Sequence, residues 1–499
     1  MKQYQSDQWT LNDTLGLSNA ADQVVNIALA VEPPFTIGVI GKWGSGKTSI
    51  LKRSYFLMGG QPLSQSVLLD TPKTEHFDEA AKTELEQHQN NLFDSDRIKK
   101  LRCVWYSPWQ YQNETNPLLA LLKEIRSQFT HWQQLKDEMS TFNRRGALAA
   151  LALLEKGIDA AATFTFQKNV NVASGTSKAV KEAWQQAEPD VMALSDGQRF
   201  HLLFEDAVQT VLNVSNDADD SDEDDPDAKL VIFIDDLDRC EGEQVVRLLE
   251  AIKLYLSCSK CVFVLGIDES AVLGALRHHW PRGDEVNREY LEKLFQSRIF
   301  VPLPAKDKII ETIKNQLDTH DDIKPYSEQL AIHIEKLCEP NPRKVKNFTN
   351  SFCTMWQVLN VSSWVSDDYI AQRFLIFQYL RLYHGAVYRI LERQPESFIH
   401  LLDVLNNTGA IEAAEEGQRL LRDMFYRAFS HVLDHNSDNE DDKDKHGSES
   451  IDSAVDQFLQ RQDRKRSDEY LKQLLKEAFT PEQLNINYFF STVPAKDKS

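Results

Sequence analysis

The chain has 499 residues, more than one compact core organises, and its 41% hydrophobic and 26% charged residues suit a globular protein of two or three domains. A formal charge of −20 argues against general affinity for nucleic acid, because neutralising phosphates requires clustered Lys and Arg. Six scattered cysteines and a polar opening, MKQYQSDQWTLND, fit a reducing, cytoplasmic setting.

The first strong signal is PPFTIGVIGKWGSGKTSILKRSYFLM, residues 33 to 58. The β-branched and aromatic residues from Phe35 to Ile40, bounded by two prolines, predict a short buried strand. Ile50, Leu51, Ser54, Tyr55 and Met58 fall at helical spacing, so a helix follows. Between them, Gly41-x-x-x-x-Gly46-Lys47-Thr48 has the composition of a phosphate-cradling loop. Glycine lets the backbone turn its N–H groups toward an anion, and the helix adds unpaired N–H groups and the positive end of its dipole. Gly41, Trp43, Gly44, Ser45, Gly46, Lys47, Thr48 and Ser49 are therefore the candidate nucleotide-binding set. Lys47 can reach the β and γ phosphates, and the Thr48 hydroxyl can coordinate magnesium.

Residues 101–125 carry Trp105, Tyr106, Trp109 and Tyr111, which suit either a wall beside a nucleotide or ordinary core packing. The apolar stretch 146–166 holds Glu155, Lys156 and Asp159 near its middle, each costing roughly 2.5–3.5 kcal/mol at a bilayer centre, so it does not span a membrane. It reads as a helix within an insertion over about 130–195. The acidic runs 215–228 and 435–450 lack the apolar residues to fold and predict disordered loops.

KLVIFIDDLDRC, residues 229 to 240, is an apolar run of buried-strand length ending in carboxylates. Asp235 would hold magnesium there. Asp236 is the candidate general base, with Asp238 as its rival, because strand alternation and the following turn decide which faces the attacking water. Cys258-x-x-Cys261 has no second pair or histidine at metal-ligand distance and reads as two ordinary cysteines. Residues 367–392 place aromatic and aliphatic side chains at three- and four-residue steps, and DEYLKQLLKEAF continues in that manner, so the C-terminal third is helical. His384, His400 and His431 look isolated, either packed or exposed. Two short basic clusters, RQDRKRS at 461–467 and Arg343 with Lys344 and Lys346, have no interleaved aromatics and read as solvated faces.

In their order, the phosphate loop, LRCVWYSPWQYQNETNPLLALLKEI (101–125), the DDLDRC strand, CVFVLGIDESAV (261–272), EYLEKLFQSRIFVPLP (289–304) and NPRKVKNF (341–348) resemble the KAP family of P-loop NTPases. The resemblance covers about residues 15 to 350 and departs at Ser107-Pro108, where the family usually has Asn-Ala. It implies an α/β fold: a doubly wound parallel sheet in which one extra strand separates the DDLDRC strand from the phosphate-loop strand, followed by a helical subdomain; residue patterning adds the helical insertion and an α-helical C-terminal region. The expected domains are a core over 1–305, a helical subdomain over 306–360 and, on patterning alone, a helical region over 361–499. Asp268, at a strand's carboxyl end, and Arg343 are implied to report on the γ-phosphate, with Arg239, Arg282 and Arg298 as candidates for an arginine supplied by a neighbouring subunit. The implied activity is Mg-dependent ATP hydrolysis that drives conformational change or assembly of a protein complex, in settings that include bacterial anti-phage defence. The implied partners are ATP and protein subunits, copies of this chain or others. Two alternatives stay open: a nucleotide-controlled scaffold with little turnover, and a DNA-stimulated motor.

Overall fold

The computed structural model describes residues 5, 9–60, 79–111, 227–255, 258–280, 284–359, 361, 369–406, 416–433, 451–479 and 486, with parts of 120–128 and 204–212. The insertion 130–195, its apolar stretch 146–166, the acidic run 435–450 and all but the last two residues of 215–228 lie outside the described residues. The chain forms two units, one of residues 8–13 and 17–302, the other of residues 1–7, 14–16 and 303–499.

Among the described residues the first unit holds a sheet of five strands: β1 (Phe35–Ile40), β2 (Leu101–Tyr106), β3 (Lys229–Ile234), β4 (Cys261–Ile267) and β5 (Ser297–Phe300). All pairings are parallel, in the order β2-β3-β4-β1-β5. Every residue of β3 and β4 is buried, as expected for parallel strands covered by helices on both faces. β4 separates β3 from β1, with Ile37 beside Val264 and Ile232 beside Phe263, the arrangement the resemblance implies. The carboxyl ends of β1, β3 and β4 thus lie side by side, where an open α/β sheet binds ligands.

Side chains close what backbone ladders leave open. At the outer edge, β2 presents the Trp105 N–H to Gln128 Oε1 at 2.9 Å, and Gln128 Nε2 donates back to the Trp105 carbonyl at 2.5 Å. Helix α1 (Ser18–Ala30) has no basic residue in its last turn, yet the buried Lys229 Nζ donates to the carbonyls of Ala28, Leu29 and Val31 at 3.2, 3.0 and 2.6 Å. An ammonium at a helix C-terminus satisfies orphan carbonyls and complements the dipole. Lys229→Met keeps the stem but orphans these carbonyls, so thermal unfolding should report a loss of about 2 kcal/mol.

The second unit is helical, with a core of Trp356, Phe348, Phe352, Phe374, Phe377, Phe398, Phe425 and Phe429. The helix expected over 367–392 is two helices, Ile370–Tyr383 and Gly385–Arg393. They part at His384, whose φ of −125° and ψ of 51° leave the helical region. His384 is not isolated: its Nε2 lies 2.8 Å from Oδ1 of the buried Asp468, which also accepts from the Tyr379 hydroxyl at 2.9 Å. Two of the basic residues of 461–467 meet carboxylates, Arg466 with Glu335 at 3.5 Å and Arg464 with Asp468 at 3.8 Å. Among the described residues no helix is long and apolar enough to cross a membrane.

Candidate functional site

The loop after β1 wraps tightly because its glycines permit it. Gly44 and Gly46 have φ of 80° and 104°, the left-handed region that favours glycine. A Cβ at Gly41 would stand 2.5 Å from Ser45 Oγ and 2.8 Å from Val301 Cγ2. Ser45 Oγ is buried with no hydrogen-bond partner, an orphan that an anion or a cation's ligand shell would satisfy. The helix α2 (Lys47–Leu57) starts on this loop with its dipole aimed into it.

Lys47 is buried and donates to the carbonyls of Gly41 and Lys42 at 2.9 and 3.2 Å. Its Nζ lies 3.1 Å from Asp238 Oδ2, and both side chains are largely shielded, at 8% and 6% exposure. The rival carboxylate, not Asp236, therefore meets the loop lysine.

Asp235, at the end of β3, is buried and accepts from the Thr48 hydroxyl and the Asp236 backbone N–H. Burial pushes its carboxyl above the ordinary range, against the pull of those two bonds. A divalent cation would reverse that penalty, and a buried carboxylate joined to a hydroxyl at the start of the helix is a hard-oxygen donor set suited to magnesium. The residues fit the ion.

Asp236 adopts φ 60° and ψ 26°, a left-handed conformation rare outside glycine but tolerated by Asp. Its Oδ1 lies 2.7 Å from Arg239 Nε. Asp268 caps the helix Glu269–His279: its Oδ1 accepts from the Ser270 N–H and hydroxyl at 3.2 and 2.6 Å. Its Oδ2 accepts from the Trp43 backbone N–H at 2.9 Å, so Asp268 braces the loop itself.

The four aromatics on and after β2 divide. Trp105 stacks on Phe233 at 6.0 Å and Tyr106 is buried against Tyr111 at 5.8 Å, which is core packing. Trp109 stands out, 38% exposed, and shares Arg239 with Trp43. Of the arginines expected to act from a neighbour, Arg239 engages its own chain, Arg298 lies 3.8 Å from Glu269, and Arg282 is outside the described residues. Arg343 belongs to the helical unit, in the first turn of the helix Pro342–Val358, where its N–H donates to Asn341 Oδ1 at 3.1 Å.

The segment before α1 was not legible as part of the site. Leu17 closes on Gly46, the Thr10 N–H donates to Ser49 Oγ at 3.3 Å, and Arg53 donates to the Leu11 carbonyl at 2.8 Å. Only the Leu11 and Leu17 spacing ahead of the first helix signalled it.

Residues 17–359 match the KAP family P-loop domain. The chain belongs to the KAP family. The match covers the sheet, the loop and the helix that carries Arg343, so this KAP chain is a nucleotide-binding protein of NTPase type. No curated protein matches it. Among solved structures it is similar to the Aeropyrum pernix ORC2 protein in ADPNP–ADP complexes, at 12% identity over 93% of each chain. The TM-score of that likeness is 0.29, too low to carry an argument.

Proposed function

We propose that this KAP protein is a cytoplasmic Mg-dependent ATPase whose hydrolysis drives rearrangement or assembly of a protein complex. The observation that carries the reading is the convergence, at one sheet edge, of the Lys47–Asp238 ion pair with the Thr48–Asp235 bond. Phosphate replaces Asp238 as the partner of Lys47, and the backbone amides at the start of α2 face it. Thr48 and Asp235 would hold magnesium, which neutralises charge on the phosphate oxygens when bound. Asp236 orients water and accepts its proton, with Asp238, which phosphate releases from Lys47, as the rival base. Asp268 couples the loop to the strand it leaves, and Arg343, on the family resemblance, reads the γ-phosphate. Assembly partners, and phage defence as the setting, likewise rest on the family.

Multiple-turnover hydrolysis with magnesium tests this. Asp236→Asn should lower kcat by about 100-fold or more with nucleotide affinity little changed, as for a lost general base. If Asp238→Asn alone has that effect, the base is Asp238.

A second reading draws on the same ion pair. Asp238 borders a cleft of about 690 Å³ between the helices Gly242–Tyr255 and Glu269–His279, beside Cys240, Glu241 and His278. A nucleotide that takes Lys47 leaves a carboxylate facing that cleft, which would make the chain a nucleotide-controlled switch even with slow turnover. Turnover held near one event per assembly would favour it.

A further inference from the structure

Three segments far apart in sequence meet at Arg239. The turn Leu237–Arg239 is a 3-10 helix in which the Arg239 N–H donates to the Asp236 carbonyl at 3.2 Å. In that geometry residues three apart lie over one another, which brings the guanidinium back onto the Asp236 carboxylate, Nε to Oδ1 at 2.7 Å. The guanidinium centre also lies 5.5 Å from the Trp43 ring in the phosphate loop and 5.7 Å from the Trp109 ring after β2. Both tryptophans are substantially exposed, 45% and 38%, so burial does not explain their place. A planar cation over indole faces is attractive, and a flat group that also pairs with a carboxylate suits arginine better than lysine.

We infer that Arg239 is a positioning residue: it fixes the Asp236 carboxylate beside the phosphate loop and, through Trp43 and Trp109, locks that loop to the turn after β3. The inference rests on the hydrolase reading for its catalytic consequence. Asp236 sits in a left-handed conformation that persists only when its surroundings hold it. The Arg239 pair is one such restraint. Because Trp43 also donates its N–H to Asp268, the loop is held from two sides, by Asp268 through its backbone and by Arg239 through its ring.

The experiment compares wild type, Asp236→Asn, Arg239→Ala and Arg239→Lys by steady-state Mg-ATP turnover and by amide hydrogen exchange over residues 41–46 in the nucleotide-free full chain. Arg239→Ala should lower kcat by about 10- to 100-fold, part of a general base's contribution, with KM within about threefold. Arg239→Lys, which keeps the ion pair but not the stacking plane, should recover most of kcat while the loop exchanges faster than in wild type. A rise in KM at constant kcat, or a lysine variant no better than alanine, overturns the inference. If wild type turns over no faster than Asp236→Asn, the hydrolase reading falls and exchange decides alone. Faster exchange over 41–46 in Arg239→Ala upholds the link between loop and turn, and unchanged exchange overturns it.

Discussion

Lys47→Ala is expected to abolish ATP turnover and to weaken nucleotide binding by about 100-fold or more, since charge-assisted bonds to phosphate contribute roughly 1.5–3 kcal/mol each. Equilibrium binding of a fluorescent nucleotide checks it. The structure adds a second effect. Lys47 neutralises Asp238 with both side chains shielded, so its removal strands a carboxylate among buried groups. Breaking such a pair from one side costs about 3 kcal/mol or more, so Lys47→Ala should also melt earlier than wild type. The double variant with Asp238→Asn separates the two effects: stability should return, and nucleotide binding should not. A single variant that binds nucleotide as wild type does would remove the phosphate role of Lys47.

Trp356→Ala should be the most damaging substitution in the helical unit. The side chain is 1% exposed and packs against Tyr326, Phe352 and Phe374 at 6.0, 5.7 and 5.5 Å, the last edge-on. Truncation removes that contact and leaves a cavity the size of an indole, worth about 3–5 kcal/mol. Trp356→Phe keeps most of the ring packing and should cost less than half as much. Its smaller loss is reinforced by chemistry, because Trp356 Nε1 is buried with no hydrogen-bond partner and phenylalanine has no such donor. Denaturant unfolding followed by tryptophan-independent circular dichroism would rank the two variants. Equal losses would show that packing there is not limiting.

The P-loop core was legible because its signals are local. Glycine spacing fixed the loop between Phe35–Ile40 and Lys47–Leu57, and apolar runs marked the strands Lys229–Ile234 and Cys261–Ile267. The placement of β4 between β1 and β3 came from the family resemblance, since no residue pattern reports strand order. Within the site, period-two alternation left Asp236 and Asp238 on the same footing. What separates them is the left-handed backbone at Asp236, which bends the chain out of strand geometry and sends the two carboxylates to different cations, Arg239 and Lys47. The role of His384 was illegible for the opposite reason: the carboxylate that holds its ring, Asp468, lies 84 residues further along the chain, and only Gly385 marked the helix break locally. The cap supplied to α1 by Lys229 spans some 200 residues and follows no local rule.

The amide of Gln128 against β2 has a meaning beyond its own hydrogen bonds. An edge strand exposes a row of unpaired donors and acceptors that invites another chain to add itself, the route by which sheets grow into fibres. At Trp105 that invitation is answered by a side chain: both backbone groups an incoming strand would need are already bonded to one glutamine. Sheet growth past Trp105 must first evict Gln128, which is buried and is also tied through its Nε2 to Glu124 Oε1 at 2.5 Å. At Trp105, then, backbone pairing with a further strand is blocked by a side chain, while among the described strands the opposite edge, Ser297–Phe300, lies four strands away.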